Sequence, residues 1–178
     1  MASYTMQWQI VLCLLLLPLT GRAARNREFI ANIGVALLMT IVLFGIFPAA
    51  GAWVHFGVRD PAELGYLQQL IALRQGHMAV LRLDALDGLI TFPSFHVVTA
   101  VVVSYAARGT PLAVLTIMLN LTMAVAALSE GLGGHYLMDA IGGVLVALAA
   151  IVVVRRTYRF ATTPHPACSA ERAPSAVG

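Results

Sequence analysis

Long apolar runs separated by short polar segments set the pattern of this chain. Residues 29–47, 92–107, 111–128 and 136–154 each approach the ~20 apolar residues that carry a helix across a bilayer. A fifth run, 7–19, is shorter and contains Pro18. It has the length of a signal-peptide core, but no basic residue precedes it and no small-x-small cleavage site is evident. A short first span, or the remnant of one, is expected there. The pattern predicts an all-α fold, a polytopic membrane helix bundle of about five spans. With no internal repeat and no second domain, residues 1–160 are expected to form one membrane-embedded unit. From residue 161 onward "ATTPHPACSAERAPSAVG" is rich in Pro, Ala, Ser and Thr and lacks periodicity, so a disordered cytoplasmic tail with a solvated His165 is expected.

The segment 49–91 is long for a loop in a compact bundle, and loops of that length usually carry structure or a task. Within it, "PAELGYLQQLIALRQG" begins with Pro61 and spaces Leu64, Leu67, Leu70 and Ile71 at helical intervals. An amphipathic helix is expected on the outer face. It either lies at the interface or packs across the mouth of the bundle.

Composition supports the membrane reading. Of 178 residues 60% are hydrophobic and 11% charged, against roughly 25% charged in a soluble domain. All eleven basic residues are Arg. Arg22, Arg25 and Arg27 lie between the first two runs, Arg108 between the third and fourth, and Arg155, Arg156 and Arg159 after the last. In a five-span weave these sites share one side, which the positive-inside rule makes cytoplasmic. The segments 49–91 and 129–135 then face outward, and the first balances Arg59, Arg74 and Arg82 against Asp60, Glu63, Asp84 and Asp87. The net charge of +3 thus reports topology. No basic patch interleaved with aromatics points to a nucleic-acid partner, and the expected partners are the bilayer and a membrane lipid. Trp53 and His55 fall where an interfacial belt is expected, and His77 reads as a solvated loop residue. Cys13 in the first run and Cys168 in the tail supply no disulfide framework.

Strongly polar residues in the spans form two clusters. "TFPSFHVVTA" opens the third run with Pro93, Ser94 and His96; "SEGLGGHYLMDA" places Ser129, Glu130, His135 and Asp139 around the start of the last. By the topology above, both clusters sit at the outward ends of their helices. Burying an ionisable group unpaired costs several kcal/mol, so such groups default to a functional hypothesis. On a helix, His135 and Asp139, four apart, share a face. The carboxylate can then fix the imidazole tautomer and leave the other nitrogen's lone pair free to act as nucleophile or base. The alternative is a structural pair that satisfies itself. His96 at the same depth adds a proton donor opposite that nucleophile, as phosphoryl or acyl transfer requires. Imidazoles with an ordinary pKa near 6.5 allow one neutral and one protonated ring. Pro93 suits a first helical turn, and Ser94 either caps it or binds through its hydroxyl. Free N–H groups at that turn, together with backbone amides made accessible by Gly133 and Gly134, suggest a phosphate cradle.

These residues resemble a known pattern. "PSFH" followed by "GGHYLMD" looks like the second and third motifs of the type 2 phosphatidic acid phosphatase superfamily, Pro-Ser-x-His and Ser-Arg-x5-His-x3-Asp. The variant is most similar to the branch containing inositol phosphorylceramide synthases and their bacterial relatives. The resemblance covers roughly residues 64–154. It implies a lipid phosphatase or phosphotransferase in the plasma or inner membrane, with its active site on the extracytoplasmic side. His135 would attack phosphorus and form a phosphohistidine, Asp139 would orient it, and His96 would protonate the leaving alcohol. No metal or other cofactor is implied.

The departures from the pattern concern phosphate binding. The first motif, Lys-x6-Arg-Pro, is absent, and the chain contains no Lys. Leu128 stands where the family has Ser, and Ser129 where it has Arg. Arg74 is the best substitute cation, with Arg82 behind it. Fewer cations suit a phosphodiester lipid better than a monoester. The family usually has six spans against about five here, which raises the expectation of a missing N-terminal helix. Three other readings stand beside this one. The first is a metallohydrolase with His96, His135 and Asp139 as ligands. The second is a catalytically weakened protein on the same fold. The third is a transporter or scaffold, although the inverted repeats common in transporters are not visible.

Overall fold

The computed structural model describes residues 2–47, 49, 65–77, 91–128 and 136–162. Among the described residues all regular structure is α-helical. The elements are α1 (Ala2–Leu19), α2 (Ala23–Ile46), α3 (Gly65–Arg74), α4 (Phe95–Ala107), α5 (Ala113–Leu128) and α6 (Leu137–Thr162). The described helices α2 and α6 are long and apolar enough to cross a bilayer, and apolar segments of α1, α4 and α5 are shorter. Together these form a helical membrane bundle.

Its surface identifies the surrounding solvent. Leu38, Leu115, Val125 and Leu145 are each more than half exposed on the outside of the bundle. Contiguous apolar surface of that extent has no stable place in water. The inside is close-packed and centred on α4, which touches α1, α2, α5 and α6. Val98, Val102, Val103 and Ala106 of α4 join Phe29 and Ala36 of α2 and Val146, Ala147 and Ala150 of α6 in one core. With 13 residues α4 is about 20 Å long at 1.5 Å per residue, short for a lipid-facing span. Apolar nearly all round, it is the helix the others enclose.

Helix ends depart from the apolar runs in an instructive way. α2 starts at Ala23, six residues before its run, and takes Arg25, Arg27 and Glu28 into the helix. α6 continues past Val154 through Arg155 and Arg156 to Thr162, two residues into the segment expected to be disordered. Hydropathy marks where lipid stops, whereas a hydrogen-bonded helix built from Arg, Ala and Glu continues into the interface. α1 spans 18 residues with Pro18 in its last turn. It ends in a Schellman arrangement: Gly21 N–H donates to Pro18 O (3.0 Å) and Arg22 N–H to Leu17 O (2.8 Å). Gly21 adopts the required positive φ of 74°.

The helix expected within 49–91 is present as α3, with Leu67 and Leu70 buried and Ile71 exposed. That burial fits the packed alternative. Leu64, Trp53, His55, Asp84, Asp87 and the tail from 163 lie outside the described residues.

Polar groups inside the bundle tie it together unevenly. Asn120 on α5 donates to Ala100 O (3.1 Å) and Ser104 Oγ (2.9 Å) on α4, a bond between helices of the kind that substitutes for a hydrophobic drive in lipid. Among the described residues, the fully buried Asn32 on α2 has neither amide atom partnered, and the hydroxyl of Thr40 is likewise unpartnered.

Candidate functional site

The site is built where the turn before α4 meets the first turn of α6. Thr91, Pro93 and Ser94 are buried, with a cis peptide joining Phe92 to Pro93. Pro93 therefore lies ahead of the helix and outside its first turn, contrary to the sequence expectation. Ser94 occupies the N-cap position with extended backbone (φ −65°, ψ 108°), and its hydroxyl makes no capping bond. Its carbonyl accepts the Val98 N–H at 3.1 Å, starting the helix. His96 stands in the first turn of α4, exposed, two residues after the fully buried Ser94.

Asp139 is 97% removed from solvent, in the first turn of α6. Its Oδ2 accepts the Tyr136 N–H at 2.8 Å. A carboxylate reaching back from the third helical position to the N-cap amide is half of a capping box, and its charge suits the positive end of the helix dipole. Asp139 thus has a local structural task beside the orienting one expected from sequence. A carboxylate offers about four acceptor positions, so this bond leaves capacity for an imidazole partner.

The two turns are joined directly. The Ser94 N–H donates to the Asp139 backbone carbonyl at 3.0 Å. Two glycines allow the approach. A Cβ on Gly143 would lie 2.7 Å from Ser94 O, and one on Gly142 would lie 2.7 Å from Phe92 Cε2 and 3.3 Å from Pro93 Cβ. The sequence reading missed this role. The signal available was the pair "GG" one helical turn after Asp139.

The family model of the PAP2 superfamily matches residues 1–153. The chain belongs to the PAP2 superfamily. No curated protein and no solved structure gives a match. Membership in the PAP2 superfamily supports a phosphatase-type lipid phosphoesterase in a membrane.

Of the residues singled out from sequence, Ser94 and Asp139 are joined by a backbone hydrogen bond, and His96 follows Ser94 by two residues in the first turn of α4. Arg74 is exposed in the last turn of α3 and forms no ion pair among the described residues. His135, Gly133, Gly134 and Arg82 lie outside the described residues, as do Ser129 and Glu130. Among the described residues no three His, Cys, Asp or Glu side chains converge as metal ligands would.

Proposed function

We propose that this PAP2 superfamily member is a multi-pass lipid phosphatase or phosphotransferase that works through a phosphohistidine at the motif end of the bundle. The contact between Ser94 and Asp139 carries the reading, because it brings two segments more than forty residues apart to one small volume. In this scheme a nitrogen of His135 attacks phosphorus. The lipid alkoxide leaves and takes a proton from His96. Water or an acceptor alcohol then gives up its own proton to the now neutral His96 as its oxygen attacks the phosphohistidine, the P–N bond breaks, and His135 is released. Asp139 holds the His135 ring in the reactive tautomer. Ser94, the amides of Gly133 and Gly134, Arg74 and Arg82 bind the phosphate.

The Arg-rich end faces the cytoplasm in this reading and the motif end faces outward, in a plasma or inner membrane. Residues 1–160 act as one membrane unit followed by a tail. The motif variant favours a phosphodiester substrate, as in the inositol phosphorylceramide synthase branch.

The test is purified protein with a panel of lipid phosphates and phosphodiesters, with and without acceptor alcohols. Free phosphate marks a phosphatase and a new headgroup product a transferase. His135→Ala is expected to lose both, and undiminished turnover in that variant would overturn the scheme. Turnover that persists in EDTA is expected, and its loss would favour the metallohydrolase.

A further inference from the structure

The opposite end of the bundle carries a second charged site. The turn between α1 and α2, the turn between α4 and α5, and the C-terminal half of α6 converge there. They enclose a cleft of about 520 Å³ lined by Arg22, Arg25, Glu28, Arg108, Arg155 and Tyr158. It is one α4 length, about 20 Å, from Ser94 and His96.

Four guanidinium groups face one carboxylate, and that carboxylate is already engaged. Glu28 accepts the Tyr105 hydroxyl at 2.7 Å on Oε1 and Arg108 Nη2 at 2.8 Å on Oε2. Arg108 also lies 3.6 Å over the Tyr105 ring. Arg22 donates to Gly109 O at 3.2 Å, and Arg25 donates to Arg108 O. Each of these bonds fixes an arginine while using one of its five donors. Arg155 makes no hydrogen bond and no ion pair among the described residues; its charge is felt by Glu28 only at longer range. Among the described residues, three positive charges are therefore left without a neutralising partner in one recess. The positive-inside rule requires arginines in the flanking segments, but it does not require them to converge.

We propose that this cleft binds the phosphate of an anionic phospholipid from the adjoining leaflet, at a site separate from the motif end. Planar guanidinium groups held by backbone carbonyls are preorganised for phosphate oxygens. Basic recesses between spanning helices suit lipid headgroups, whose acyl chains follow the apolar outer face. The shared chemistry is a phosphate anion. A free phosphate would use the same donors but gains nothing from the apolar surface beside the cleft.

The test uses the full-length protein in detergent, with native mass spectrometry and thermal unfolding as readouts. Phosphatidylglycerol, phosphatidylcholine and inorganic phosphate are added separately. Phosphatidylglycerol is expected to bind and to raise the unfolding temperature, more than phosphatidylcholine. Arg155→Gln and Arg25→Gln are each expected to weaken it about fivefold. Arg155→Gln keeps the test valid if Arg25→Gln fails to fold, because Arg155 makes no hydrogen bond and no ion pair among the described residues. Equal binding of both lipids, or unweakened binding in Arg155→Gln, overturns the proposal. Stabilisation by inorganic phosphate equal to that by phosphatidylglycerol overturns the lipid assignment.

Discussion

The amide N–H of Ser94 donates to the backbone carbonyl of Asp139 at 3.0 Å. This bond joins the start of α4 to the start of α6 without using either side chain. The position of the Asp139 carboxylate relative to the turn before His96 therefore depends on backbone packing, and it can be perturbed without touching a polar side chain.

Gly143→Ala is the direct test of that packing. The new Cβ would meet Ser94 O at 2.7 Å, and a backbone oxygen cannot rotate away. A loss of about 1–3 kcal/mol in stability is expected, together with a fall in lipid turnover. Gly142→Ala meets the Phe92 ring, which can turn, and should cost less. Thermal unfolding of both variants in one detergent decides this. Equal costs would show that the turn, and not the ring, gives way.

Asp139 can be dissected by chemistry. Asp139→Asn retains an oxygen that can accept the Tyr136 N–H and so preserves the start of α6. It removes the charge that would stabilise an imidazolium. Near-native unfolding with activity reduced about a hundredfold or more is expected. Asp139→Ala loses the cap as well, at about 1 kcal/mol. If Asp139→Asn keeps full turnover, the residue serves the helix end alone.

Asn32 and Asn120 give opposite expectations in lipid. Asn32→Leu replaces a fully buried amide that has no partner among the described residues, and should raise stability by about 1 kcal/mol. Asn120→Leu breaks two bonds to α4 and should lower it by about the same amount. Unfolding midpoints measured side by side provide the comparison. A destabilised Asn32→Leu would indicate that a water or ligand satisfies that amide.

Glu28→Gln tests the weight of the charged network at the Arg end. The pair with Arg108 is partly solvated, with side chains 20% and 39% exposed. Its removal is expected to cost no more than about 1 kcal/mol. A larger loss at low salt that vanishes at high salt would show repulsion among the arginines that Glu28 normally holds in check.

Sequence alone determined what depends on local composition. Apolar length located α2 and α6, the described helices long enough to cross a bilayer, and the shorter apolar helices α1, α4 and α5, because a bilayer imposes its thickness on any helix crossing it. The expectation that the arginine clusters share a side agrees with the cleft that Arg22, Arg25, Arg108 and Arg155 line. "PSFH" and "GGHYLMD" pointed to the superfamily that the family match then showed. Tertiary structure decided what depends on approach between distant segments. The Glu28–Tyr105–Arg108 network joins residues 77 and 80 positions apart, and nothing in the polar segment before the second run, where Glu28 lies, announced it. Pro93 looked like a first-turn proline, yet it precedes the helix. Asp139 looked like an orienter, yet it also caps its own helix. Gly142 and Gly143 draw their role only from the turn before α4 that packs against them. Hydropathy and spacing describe one segment and its solvent; which backbone atoms of two segments touch is set by how closely their helices can pack.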